Sequence, residues 1–130
     1  MTQEQKELLL KDLCARLSYG VKCDIGDNKP YTLNRIEIDN NNGHLLDFIE
    51  MKDGLDMQVY LSEVKPYLFP LSSMTEEQKE EYDLICSMSM FDMSESDAMK
   101  LIDWFHKNHI DYRGLIPMGL AIDATGLNIY

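Results

Sequence analysis

Leu45-Leu-Asp-Phe-Ile-Glu-Met-Lys-Asp-Gly-Leu-Asp-Met-Gln-Val-Tyr-Leu61 decides the fold class. Leu46 and Phe48 alternate before Lys52-Asp53-Gly54, and Met57, Val59 and Leu61 alternate after it. A period of two belongs to strands, and Asp-Gly tolerates the positive φ of a tight hairpin turn. The reading predicts Gly54 at positive φ, with Phe48 and Val59 in paired strands. Upstream, Val21–Ile25 and Tyr31–Asp39 are similar short runs, separated by Gly26-Asp27-Asn28-Lys29-Pro30 and closed by Asn40-Asn41-Asn42-Gly43. Together these runs predict an antiparallel meander of three to four strands.

Helical periodicity flanks that region. Thr2 and Gln5 match a capping box, and Leu10, Leu13, Cys14 and Leu17 recur at helical spacing up to Gly20. On this reading Glu7–Lys11 and Asp12–Arg16 are i,i+4 pairs on the solvated side, and Cys14 is a buried, inert thiol. Ser62 to Met74, broken by Pro66 and Pro70, reads as an extended apolar connection. Thr75 and Gln78 form a second capping box, with Glu76 and Glu77 in the first turn. A third helix begins near Ser94 or Ser96, where Ala98, Leu101, Ile102 and Phe105 form an inward stripe. That stripe assigns Phe105 to the core and Trp104 to its margin, under the apolar stretch from Ile110 to Tyr130. Strands followed by helices indicate one α+β domain over residues 1–130: an N-terminal helix, the meander, two helices and an apolar C-terminal tail packed on the body. The echo between Met1-Thr-Gln-Glu-Gln-Lys-Glu7 and Met74-Thr-Glu-Glu-Gln-Lys-Glu80 stops there, so shared helix-start chemistry explains it better than duplication.

Composition narrows the function. The 130 residues are 45% hydrophobic, enough to bury about two thirds of the unfolded surface. The net charge of −11 disfavours direct nucleic-acid and anionic-membrane binding. No apolar run spans a bilayer, and the start lacks signal-peptide order. Cys14, Cys23 and Cys86 form no CxxC pair, and an odd number cannot close internally, which reads as reduced thiols in a cytoplasmic protein.

Three stretches carry a resemblance. They are Cys14-Ala-Arg-Leu-Ser-Tyr-Gly-Val-Lys22, Val64-Lys-Pro-Tyr-Leu-Phe-Pro-Leu-Ser-Ser-Met-Thr-Glu-Glu-Gln-Lys-Glu-Glu-Tyr82, and Asp111-Tyr-Arg-Gly-Leu-Ile116 with Gly119-Leu-Ala-Ile122. Each resembles segments of short proteins of gut Bacteroidales and their phages or mobile elements. The resemblance implies a genomic context and no catalytic residue.

Chemistry-bearing motifs are few. His106 and His109, with Asp103 and Asp111 near, are the weak candidates for a metal, set against the helix-end placement that histidine favours anyway. Asp39 to His44, with Glu50 at the twelfth place, begins like a calcium loop, but its glycine stands fifth instead of sixth. There is no GxSxG motif and no glycine-rich phosphate loop. No cofactor and no catalytic residue is expected. The strongest signal is charge: Glu76 to Asp97 holds eight acids and one lysine, a net of −7, interleaved with Met90, Phe91 and Met93. The expectation is a protein-interaction role, with Glu76, Glu77, Glu80, Glu81, Asp83, Met90, Phe91 and Met93 meeting a basic host protein. The alternative is a small enzyme or ligand-binding protein with a pocket between sheet and helices.

Overall fold

A computed structural model describes residues 2–37, 48–51, 58–87 and 95–130. Helix α1 (Gln3–Arg16) starts at the Thr2–Gln5 capping box and runs into a 3-10 turn over Leu17–Tyr19. Gly20, at φ 69°, ends it in the left-handed region, which glycine enters without a Cβ clash. Strands β1 (Lys22–Asp24), β2 (Tyr31–Glu37), β3 (Phe48–Met51) and β4 (Gln58–Tyr60) follow. Then come β5 (Lys65–Pro70), helices α2 (Glu76–Ser87) and α3 (Glu95–Lys107), and the short strands β6 (Ile110–Asp111) and β7 (Ile122–Asp123). The class is α+β. Helix α2 opens on the same chemistry as α1: the Thr75 hydroxyl accepts from Gln78 N–H, and the Gln78 side chain accepts from Thr75 N–H.

The sheet is mixed, with strand order β4-β3-β2-β1-β5-β6 and β7 also pairing with β5. Neighbours from β4 to β5 run antiparallel, and β6 and β7 run parallel to β5. Phe48 stands opposite Tyr60 and Ile49 opposite Val59; the Lys52–Gly54 turn lies outside the described residues.

Strand β5, which pairs with β1, β6 and β7, corrects the reading of Ser62 to Met74 as an extended connection. Pro66 and Pro70 argued against a strand because proline donates no ladder hydrogen bond. Both lie within a residue of a strand end, Pro66 opposite Cys23 and Pro70 opposite Asp111, and residues between them donate and accept ladder bonds. Phe69 N–H donates to His109 C=O at 2.8 Å, and Leu68 C=O accepts from Ala124 N–H at 2.8 Å. Parallel partners need a long crossover; residues 71–109, with α2 and α3, supply it.

Two apolar clusters fill the interior. Leu9 and Leu13 of α1 pack with Val21, Cys23, Leu33, Leu61, Val64 and Leu68, and the 110–130 stretch adds Leu115, Leu120 and Ala121. The second cluster holds Trp104, Phe105 and Ile110, with Tyr82, Ile85, Leu101 and Tyr112 against it. Tyr130 ties the stretch down: its hydroxyl accepts from Lys22 N–H at 2.9 Å and donates to Tyr67 C=O at 2.7 Å.

The inward faces of both flanking helices are rotated from those expected. The buried positions of α1 are Leu9, Asp12, Leu13 and Arg16, so Asp12–Arg16 lies inside and Cys14 is exposed. The spacing i, i+3, i+4, i+7 is intact, but two of its four positions are charged and partner each other. In α3, Ile102 faces out at 41% exposure, whereas Trp104 and Phe105 are both buried. Helix α2 covers Trp104, which donates to Glu81 at 2.8 Å and packs on Tyr82, and Ile110 of the C-terminal stretch belongs to the same apolar cluster.

Removing one partner of a buried pair leaves an uncompensated charge, which costs about 3–5 kcal/mol. Asp12→Ala is expected to lose that much in urea denaturation, while Glu7→Ala on the exposed side of the same helix loses about 0.5 kcal/mol or less. Equal losses would place Asp12 outside the core.

Candidate functional site

Asp12 organises the polar interior. Its two carboxylate oxygens serve two arginines: Oδ2 accepts from Arg16 Nε at 2.9 Å and Oδ1 from Arg113 Nε at 3.1 Å. Asp12 and Arg16 are fully buried, and Arg113 keeps 19% of its side chain exposed. Arg16 reaches further, donating from Nη2 to Ile110 C=O at 2.6 Å, while its Nη1 has no partner. The cluster therefore sits where α1, packed in the first apolar cluster, meets Ile110 of the second.

Tyr112 packs near both guanidiniums, which stand 5.5 Å (Arg16) and 4.9 Å (Arg113) from its ring centre. Its hydroxyl is 2.7 Å from His106 Nε2, and its ring stacks on Phe105 at 5.1 Å. Burial pushes the Tyr112 hydroxyl above its ordinary pKa. Burial, then the charge of Arg16, holds His106 below its own. A tyrosine that resists ionising faces a histidine that resists protonation, so the pair is neutral near pH 7. Asp111, also buried, spends both oxygens inside its own loop, accepting from Leu115 and Ile116 N–H at 2.9 Å each.

The two histidines weighed for a metal are held apart in function. His106 belongs to Tyr112 and packs against Tyr19. His109 adopts φ 56° and stacks flat on Tyr130, with ring centres 3.7 Å apart. Burial, with the charges of Arg16 and Lys22, pulls the His109 pKa down to about 4. Among the described residues no group of three or more His, Cys, Asp or Glu is placed to hold a metal. Residues 39–47 of the calcium-like stretch lie outside those described.

A cleft of about 510 Å³ opens beside this cluster, between Pro70–Ser72 at the end of β5 and the 111–117 loop. Its wall includes Tyr112 and Arg113. Sequence reasoning missed this site because Asp12 and Arg16 looked like an exposed helical pair and Arg113 lies 101 residues from Asp12.

The acidic stretch forms a different surface. Glu76, Glu77, Glu80, Glu81 and Asp83 are all exposed on α2, which has no fully buried residue. Gln78, Tyr82, Ile85 and Cys86 make its half-buried side. Leu84 is 64% exposed and lies one turn beyond Glu80 and Glu81. On α3, Met99 at 65% and Ile102 at 41% exposure share a face, with Glu95 and Asp103 at helical spacing on either side. Glu81 has a second task as the acceptor for Trp104. Met90, Phe91 and Met93 lie outside the described residues. Comparison with protein-family models, curated proteins and solved structures finds no match.

The histidine environments set a pH dependence. A His109 pKa of about 4 when folded, against about 6.5 unfolded, means the unfolded chain binds the proton first. The stability from a neutral His109 is complete above pH 6.5 and is lost as pH falls toward 4. Urea midpoints measured from pH 7.5 to 4 should fall less steeply for His109→Asn, which tolerates the left-handed backbone. Identical slopes would mean that His109 titrates as an exposed histidine does.

Proposed function

We propose that this chain acts by binding another protein, without catalysis or a cofactor, and that the α2–α3 face meets a basic partner. The observation that carries the reading is the pairing of exposed apolar and acidic side chains on two adjacent helices. Leu84, Met99 and Ile102 are exposed; Glu80 and Glu81 stand one turn before Leu84, Glu95 and Asp103 one turn to either side of Met99, and Asp103 directly follows Ile102. Large apolar side chains left in water next to like charges are explained by a partner that covers both. The net charge of −11 supports the sign of that partner. Resemblance to phage and mobile-element proteins of gut Bacteroidales makes a host protein the natural target and the cytoplasm the place of action. A ligand-binding protein or small enzyme is the second reading, and the cleft beside Arg113 favours it.

Charge and apolar contact contribute differently. Carboxylates at the rim steer encounter and set its salt dependence, while anchors in the contact core set residence time. The experiment is retention of proteins from a host lysate on the immobilised chain, followed by kinetics on the protein retained. Glu80→Lys with Asp83→Lys should slow association by about tenfold at low salt. Leu84→Ser with Met99→Ser should mainly speed dissociation. Because all four positions are exposed, each melting temperature should stay within a few degrees of the parent's. Equal retention of one protein by all three chains, or retention indifferent to salt, would contradict the reading.

A further inference from the structure

We propose that the cleft beside Arg113 is a binding site for a small apolar carboxylic acid. The inference rests on residues separate from the α2–α3 face and stands independently of the docking reading.

Pro70 and Leu71 line one side of the cleft and Ile116 and Pro117 another, with Tyr112 and Arg113 completing the wall. A volume of about 510 Å³ and a mainly apolar lining with a few fixed polar groups describe a small-molecule site. Arg113 supplies the polar recognition. Its Nε is held by Asp12, and its guanidinium carbon lies 4.9 Å from the centre of the Tyr112 ring. The fork is therefore oriented before any ligand arrives, and 19% of the side chain remains exposed. A guanidinium oriented in this way is a receptor for a planar, two-oxygen anion.

Two charged neighbours bear on the sign of the ligand. Asp12, the counter-ion of Arg113, is shared with the fully buried Arg16, so one carboxylate offsets two cations. Asp111 also lines the cleft, but both of its oxygens accept from main-chain N–H groups of its own loop. It closes the loop, and each of its acceptor oxygens already has a main-chain donor. A cationic ligand would meet Arg113 with no open carboxylate opposite.

The charge of the whole chain selects the kind of anion. With a net of −11, a dianionic phosphate is repelled about twice as strongly as a monoanion. A carboxylate carries one charge, and an attached apolar group gains from covering Leu71, Ile116 and Pro117. Affinity then comes from the apolar part and selectivity from the fork.

The test is titration of the full isotope-labelled chain with 3-phenylpropionate, octanoate and the neutral 3-phenylpropan-1-ol, followed by amide chemical shifts. At least one acid should give saturable shifts centred on residues 70–72 and 111–117, with the alcohol about tenfold weaker or more. Arg113→Lys keeps the charge, loses the fork, and should weaken the acid. Because Arg113 also bonds Asp12, a second variant is needed: Leu71→Asp, at an exposed position on the cleft, leaves the Arg113–Asp12 pair in place. It should weaken acid binding by about tenfold through like-charge repulsion. Failure of both acids to saturate, equal binding of acid and alcohol, or undiminished binding by Leu71→Asp would each overturn the proposal.

Discussion

A single carboxylate, Asp12, holds two arginines that arrive from opposite ends of the chain. Arg16 comes from the next turn of α1, and Arg113 comes from the loop after β6. Burial makes the arrangement exacting: an aspartate or arginine inside an apolar core is costly unless its charge is paired, and here Arg16 Nη1 is left over while Nε and Nη2 are matched. Matching Asp12 requires the 111–117 loop to lie beside α1. Matching Arg16 requires Ile110 C=O, and so fixes the entry of β6 alongside β5. The parallel edge of the sheet, the packing of Tyr112 and the cleft wall all follow from where these charges can be satisfied.

The same constraint shapes the chemistry around it. Tyr112 packs near two guanidiniums, and its hydroxyl faces a histidine whose pKa is lowered by burial and then by the charge of Arg16. Protonating His106 or His109 would add positive charge beside an arginine already sharing its counter-ion. Of this group, Tyr112 and Arg113 line the cleft, and Arg113 is the cation with part of its side chain exposed. The α2–α3 pair is built on the opposite plan. Helix α2 contributes only a half-buried side of Gln78, Tyr82, Ile85 and Cys86, and its other side carries the acids.

Sequence alone shows the element types where local chemistry dictates them. Both capping boxes are legible in Thr-x-x-Gln, and the two helices they open begin there. The α+β class follows from short alternating runs ahead of helical ones. Legibility ends where tertiary pairing reverses a local rule. Asp12 and Arg16 read as an exposed pair because nothing local reveals Arg113 or Ile110 C=O. Pro66 and Pro70 read as strand breakers because their positions near the ends of β5 are a property of the sheet. Hydrophobicity alone points Ile102 inward, yet the half-turn that meets α2 and Tyr112 carries Trp104 and Phe105 instead. For the site, the acidic face of α2 is visible as a charge run, and the Arg113 cleft is invisible.

The central claim is that Asp12 couples two distant parts of the chain through its own carboxylate. A double-mutant cycle on Asp12→Ala and Arg113→Ala, read by urea denaturation, tests it directly, because the residues lie 101 positions apart and share no local structure. The account predicts a coupling energy above about 1 kcal/mol, with the second substitution costing much less once the first is made. Strict additivity of the two losses would contradict it.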